Sequence, residues 1–224
     1  MEKHCTRSNR KGVGSMDNYV ITVARGFGSG GKRIAIELAK QLGINCYENR
    51  ILTLASQYSG YDESYFVEQD EKLKGSLWVN QLSKLPVTTT PKPVINKFKS
   101  DTRVFDAQKH IIERLAKTES CIIVGKCADY ILKDYDNVLS VYIEAPRAHC
   151  LQNIMRRMDV TVDEANELIT KTDKYRADYY KFYTGGNYWT NPVNYDMTLN
   201  SYRLGDKKCV DLIKNALKVK LDVE

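Results

Sequence analysis

The sequence lacks any hydrophobic run long enough to cross a membrane. No stretch approaches the roughly 18 consecutive apolar residues that a spanning helix needs, although 42% of the 224 residues are hydrophobic. The basic residues near the N-terminus are not followed by an apolar segment, so no secretory signal is expected and the expected compartment is cytoplasmic. Histidine is scarce: His4, His110 and His149 have no spacing that suits a catalytic triad or a metal site. The six cysteines, at 5, 46, 121, 127, 150 and 209, form no CxxC pair and have no histidine at ligand spacing. That pattern excludes a zinc site or a disulfide framework and leaves free thiols. A large excess of one charge is missing too. Lys and Arg number 34 against 28 Asp and Glu, a net +6. Residues 1–15 hold four Lys/Arg and one Glu, so they carry +3 and the remainder 30 − 27 = +3. Neither nucleic acid nor a membrane is the expected partner, and the oligomeric state is not written in the chain.

What is present is an alternation of strand-like and helix-like segments. Residues 1–15 have no periodicity and read as a disordered leader, with the folded unit in 16–224. Tyr19–Arg25 is a β-branched apolar run that leads into a glycine cluster and then an amphipathic helix, Lys32–Leu42. A short strand Ile44–Tyr47 and a helix Asn49–Tyr58 follow. Between about 60 and 100 the pattern weakens; Glu68, Asp70 and Glu71 mark a charged face before PVTTTPKP, which cannot be a core element. Order returns with a helix near Arg103–Lys117, strands Ser120–Gly125 and Val138–Ile143, and helices near 147–158 and 161–183. Strand Met197–Asn200 and helix Asp206–Val219 close the chain. Five strands alternating with helices predict an α/β fold with a parallel sheet. Ligands of such sheets bind beyond the C-terminal strand ends, where the glycine cluster lies.

Residues 26–33, GFGSGGKR, satisfy two motifs. Gly26, Gly28 and Gly31 fit G-x-G-x-x-G, the dinucleotide loop, with Glu48 near the position of its ribose-binding acid. Gly26, Gly31 and Lys32 fit G-x-x-x-x-G-K, the phosphate-binding P-loop. Lys32 separates them. A dinucleotide loop needs no cation there, whereas a triphosphate needs a lysine to follow its β- and γ-oxygens. In the first helical turn the macrodipole opposes a cation, so an anion is required to justify it. The backbone N–H groups from Gly28 through Ser29, Gly30, Gly31 and Lys32 to Arg33 would form the cradle. The Ser or Thr that should follow the lysine to ligate Mg²⁺ is replaced by Arg33. A flexible glycine turn with no ligand is the plain alternative.

In 161–183 the residues Val162, Ala165, Leu168, Ile169, Thr172, Tyr175, Tyr179, Tyr180 and Tyr183 share one helical sector. Arg176 interrupts it, and a buried guanidinium must meet an anion or a carboxylate. A nucleotide phosphate would serve; pairing with Asp173 at i−3, or snorkelling over the tyrosines, would serve as well. Arg156 and Arg157 are further candidate cations on the preceding helix. Lys126 stands after Gly125 at a strand end, where sheet ligands bind. Seven of the 15 tyrosines lie between 175 and 202, and charges over 147–184 nearly cancel, seven against six. Packing and base stacking account for these aromatics better than a groove for single strands.

Taken together, ARGFGSGGKRIAIELAKQLGI, YENRIL, IIVGKCADYIL, KTDKYRADYYKFYTG and NYDMTLNSYRLG resemble the cytidylate kinase-like proteins of the P-loop nucleoside monophosphate kinase group, over nearly all of 18–214. The resemblance implies a P-loop NTPase-type three-layer core. It also implies an NMP-binding insertion at about 60–100 and a helical lid at about 147–184. The implied reaction is transfer of the ATP γ-phosphate, with Mg²⁺ as its nucleotide complex, to a nucleoside monophosphate, typically CMP or dCMP. It makes Lys32 and Arg176 the catalytic cations, the latter through K-x-D-x-x-R, with Arg157 a nucleotide contact. Arg103, in R-x-x-x-x-Q with Gln108, would meet the acceptor phosphate beside Lys126. Asp129 resembles the acid that contacts sugar or base, and Glu48 would order the insertion or touch the nucleotide. Relatives more often carry Arg at position 32 and Gly-Arg where this chain has Gly125-Lys126. A lysine at 126 keeps the charge without the bidentate grip. A nucleotide-binding regulator without catalysis, a kinase for another small acceptor, and a dinucleotide oxidoreductase remain alternatives.

Overall fold

The computed structural model describes residues 18–59 and 102–222; the leader at 1–15 and the insertion at about 60–100 lie outside the described residues. Five strands are hydrogen-bonded in the order β2-β3-β1-β4-β5, all parallel. They are β1 (Val20–Arg25), β2 (Asn45–Tyr47), β3 (Cys121–Val124), β4 (Val138–Glu144) and β5 (Met197–Asn200). The helices are α1 (Gly31–Leu42), α2 (Arg50–Ser59), α3 (Thr102–Thr118), α4 (Ala128–Ile131), α5 (Arg147–Met158), α6 (Val162–Tyr183) and α7 (Ser201–Leu221).

The three-layer α/β architecture follows from strands that are apolar on both faces. In β1 and β3, Val20, Cys121 and Ile123 pack on one side with Ile51, Ile111, Ile112 and Leu115 from α2 and α3. Ile21, Val23, Ile122 and Val124 pack on the other side with Ile34, Leu38, Val210 and Ile213 from α1 and α7. The period-two alternation therefore feeds two cores, one per face.

Local chemistry sets the helix ends. Gly43, at φ 66°, stops α1 in the left-handed conformation that glycine adopts without a Cβ penalty. Asp159 ends α5 at φ 53°, and Thr161 then starts α6 in a capping box. The Thr161 hydroxyl accepts from the Glu164 N–H at 3.3 Å, and the Glu164 carboxylate accepts from the Thr161 N–H at 2.9 Å. The last helix starts earlier than the sequence pattern predicts, at Ser201 rather than Asp206. Asn200 caps it by accepting from the Arg203 N–H at 3.1 Å. Gly205, at φ 74°, then kinks the element, which is why the periodic pattern resumes only at Asp206. The one-turn α4 has no counterpart in the sequence reading.

Ser201 also ties β5 and α7 to the glycine loop. Its hydroxyl lies 2.6 Å from the Ser29 carbonyl and 3.1 Å from the Glu144 carbonyl, and its single proton is shared between them. Ser201→Ala is expected to destabilise the fold by about 1–2 kcal/mol, because it leaves buried acceptors unsatisfied. A urea midpoint unchanged from wild type, at equal m-value, would remove this role.

Candidate active site

The loop Gly26–Gly30 joins β1 to α1 at the C-terminal edge of the sheet. Its carbonyls are turned into the protein. Gly26 O accepts from the Ser29 hydroxyl at 2.9 Å, Gly28 O from the Asn153 amide at 2.8 Å, Ser29 O from Ser201, and Gly30 O from the Ile34 N–H at 3.0 Å. A Cβ at Gly26 would overlap the Glu144 carboxylate, and one at Gly28 would press on the Cys150 backbone. Gly28 and Gly30 sit at φ 89° and 85°, where other residues are strained. The loop opens on a cavity of about 1230 Å³, lined among others by Gly26, Gly28, Gly30, Gly31, Lys32 and Arg33.

Lys32 projects from the first turn of α1 and pairs with Glu48, which follows β2. The same carboxylate accepts from Arg25 Nη2 at 2.9 Å. Burial works against the charge on Glu48, but Arg25 and Lys32 more than offset it and hold its pKa below the ordinary value. Glu48 thus orients two cations, and an occupied carboxylate does not suit the ribose of a dinucleotide. Arg33 lies beside Gly30 at the cavity rim. Its guanidinium forms a two-pronged pair with Asp206 of α7, one prong at 3.0 Å and the other shorter, which holds the side chain on α7.

Helices α5 and α6 pack on each other through Cys150, Ile154, Ala165 and Ile169 and cover the loop. Arg176 Nη1 donates to the Arg25 carbonyl at 3.0 Å and pairs with Asp173 at 3.1 Å. Of the two partners expected for it, the i−3 carboxylate is present, and the half-buried guanidinium also lines the cavity. Burial, reinforced by the charge of Arg25, lowers its pKa to about 9, which leaves it protonated at neutral pH. Asp173 in turn accepts from the Phe27 N–H of the glycine loop at 2.9 Å. The Phe27 ring lies 5.4 Å from the Arg157 guanidinium and 5.6 Å from that of Arg176. Phe27 therefore grips the helical cover through its ring and its backbone, a role its identity in the sequence did not signal. Val162, in the apolar sector by periodicity, is 51% exposed.

The far end of the cavity is aromatic. Phe105 stacks on Tyr183 with centroids 3.9 Å apart, and Tyr142 stacks on Tyr195 at 5.3 Å. Gln108, buried on α3, accepts from the Tyr179 hydroxyl at 3.3 Å. Asp129, buried on α4, accepts from the Tyr180 hydroxyl at 2.7 Å. Burial dominates there and raises its pKa to about 6. Lys126 lines the same wall from a turn in which Gly125, Lys126 and Cys127 all have positive φ. Arg103 does not join them: it is exposed at the start of α3 and absent from the cavity wall among the described residues. Arg156 and Arg157 both reach that wall despite being adjacent. Arg25 was not singled out from the sequence, where it reads as the polar end of an apolar strand.

The raised pKa of Asp129 has a sign. Its neutral form is the one the fold favours, so its stabilising contribution is present below the ordinary carboxylate pKa and is lost as pH rises through about 6. Asp129→Asn is expected to melt higher than wild type at pH 8, by an increment on the order of 2 kcal/mol, and to match it at pH 4. Equal melting differences at both pH values would refute the buried charge.

Among curated proteins none matches the sequence. The chain is similar in structure to an uncharacterized protein from Eubacterium ventriosum ATCC 27560, with TM-score 0.65, 23% identity, and 90% of this chain and 99% of that one covered. It is less similar to a shikimate kinase from Bacteroides thetaiotaomicron, with TM-score 0.46, 12% identity, and 92% and 99% covered. A deoxyadenosine kinase from M. mycoides gives TM-score 0.47, 14% identity, and 89% and 99% covered. The description of the cytidylate kinase-like family matches residues 20–203, which span every described strand and the whole cavity wall. With its glycine loop closing a parallel five-stranded sheet, the chain belongs to the cytidylate kinase-like family and has the P-loop kinase fold.

Proposed function

We propose that the protein transfers the γ-phosphoryl group of ATP to a nucleoside monophosphate, with CMP or dCMP the favoured acceptor, and releases the diphosphate. The observation that carries this reading is the convergence of Lys32 from α1 and Arg176 from α6 on one cavity that begins at the glycine loop and ends in aromatic side chains. Its volume of about 1230 Å³ exceeds that of an ordinary single-ligand pocket and suits two ligands end to end. The fit to a polyphosphate rests on the Gly28 and Gly30 N–H groups, which have no acceptor among the described residues, with Lys32 beside them on the cavity wall. Mg²⁺ fits as part of the nucleotide complex. Position 33 offers no hydroxyl, and among the described residues no group of three metal-binding side chains exists. When bound it would neutralise phosphate oxygens.

The side chains of this chain divide the work. Loop N–H groups and Lys32 hold the donor phosphates. Arg176 lies over the end of β1, where its charge would meet the phosphoryl group in transit. Phosphoryl transfer asks mainly for positioning and positive charge, so no protein base is required. The α5–α6 cover excludes water, which would otherwise take the phosphoryl group. Residues 147–184 thus act as the lid and about 60–100 as the acceptor-binding insertion, with Lys126, Asp129 and Glu48 on the acceptor side. A cytoplasmic location suits this substrate.

A second reading, a nucleotide-binding regulator without catalysis, is favoured by one observation: Arg33 stands where a metal-ligating hydroxyl is expected and is tied to Asp206. Coupled ADP release with ATP, Mg²⁺ and a panel of CMP, dCMP, UMP, AMP and GMP separates the two. The kinase reading expects turnover with at least one acceptor. Lys32→Ala should lose ATP affinity and turnover together. Arg176→Ala should lose turnover by about 100-fold or more with little change in ATP binding. ATP binding without phosphorylation of any acceptor would leave the regulator standing.

A further inference from the structure

Arg25 occupies the last position of β1, directly before the glycine loop, and lines the cavity with a side chain only 15% exposed. Its placement is tightly determined. A Cβ on Gly31 would collide with the Arg25 Cβ, and a Cβ on Gly125 would collide with Arg25 Nη1. The guanidinium therefore runs from β1 across to the end of β3 and lies against the turn that carries Lys126. One Nη2 hydrogen goes to Glu48 at 2.9 Å, whereas Nε, Nη1 and the other Nη2 hydrogen have no protein acceptor among the described residues, which leaves one edge of the fork open.

Glu48 carries one negative charge and faces two cations, so one positive charge in this trio is unmatched. The two cations differ in freedom. Lys32 is 53% exposed on a flexible stem and can leave Glu48 to follow a ligand. Arg25 is wedged between two glycines and cannot. A reaction that joins two phosphoryl groups needs a positive group on each side of the transfer point. Lys32 and the loop serve the side toward α1. Arg25 faces the opposite side, toward Gly125, Lys126 and the aromatic end, and Arg176 rests on the Arg25 carbonyl between them.

We infer that Arg25 is the guanidinium that receives the phosphate of the acceptor, and that Glu48 is the positioning residue that holds it flat for a two-pronged contact. This rests on the phosphoryl-transfer reading and deepens it. Arg25 supplies the planar fork that lysine at 126 cannot, and it takes the place in the cavity that Arg103 does not reach. A purely structural alternative exists, in which Arg25 only staples β1 to Glu48.

The test compares each nucleoside monophosphate with its own nucleoside. Calorimetric titration of CMP, dCMP, UMP, AMP and GMP, and of the five nucleosides, uses the full chain as wild type, Arg25→Gln, Arg25→Lys and Arg114→Gln. Arg114 is an exposed cation on α3 outside the cavity. In wild type at least one monophosphate should bind more tightly than its nucleoside. Arg25→Gln should reduce that advantage by about 50-fold, Arg25→Lys should restore part of it, and nucleoside and ATP affinities should change by no more than about threefold. Arg114→Gln should behave as wild type. The inference is overturned by an advantage that survives in Arg25→Gln, by equal losses for ATP and monophosphate, or by a wild type that does not distinguish monophosphate from nucleoside. If Arg25→Gln does not fold, Arg25→Lys decides: an undiminished advantage there counts against the two-pronged contact. A wild type that prefers monophosphates yet phosphorylates none would defeat the kinase reading while the phosphate site stands.

Discussion

The candidate site depends on the way the glycine loop hangs from its carbonyl oxygens. Four of them accept hydrogen bonds from the protein: from Ser29 within the loop, Asn153 on α5, Ser201 on α7 and the Ile34 N–H on α1. The Gly26, Phe27 and Ser29 amides are tied to Ile143, Asp173 and Gly26 as well, so a segment of otherwise permissive glycines is held in one shape, with the Gly28 and Gly30 amides left as donors. Two elements distant in sequence, α5 and α7, supply two of those anchors. The cradle is accordingly a tertiary structure as much as a local motif.

Around it, charge is placed where it is costly and then compensated. Arg176 is half-buried, with its pKa lowered to about 9, and it is held by Asp173 and the Arg25 carbonyl. Asp129 is buried with a pKa of about 6 and a single side-chain donor, the Tyr180 hydroxyl. Buried groups of this kind add little to stability. Their concentration on one cavity wall, together with the left-handed run Gly125–Lys126–Cys127, marks the region where the fold gives up stability for function. Phe27 links cover and cradle, since one residue of the loop binds Asp173 through its N–H and two arginines through its ring.

Much of this was legible in the chain. Lys32 after the glycines, Arg176 in the middle of an apolar helical face and Lys126 at a strand end all line the cavity, because each broke a local pattern strongly enough to require a ligand or a partner. Arg33 was legible as a departure, and its pair with Asp206 gives the physical reason for its presence. Arg25, Phe27 and Gln108 carried less signal. A strand-terminal arginine, a loop phenylalanine and a helical glutamine look ordinary until their neighbours are known. Arg103 is a different case: it stands exposed at the start of α3, outside the cavity wall among the described residues.

The sequence by itself determined the order of strands and helices, the parallel sheet, the two-sided core and the glycine loop between β1 and α1. These follow from short-range periodicity, from β-branched runs and from the backbone demands of glycine. Only the tertiary structure decided which charges meet. Glu48 is shared between Arg25 and Lys32, Asp173 reaches the loop across 146 positions of sequence, and Ser201 reaches Ser29 across 172. Electrostatic and hydrogen-bond partners are chosen by distance in space. The chain encodes that distance only through the packing of all its elements together.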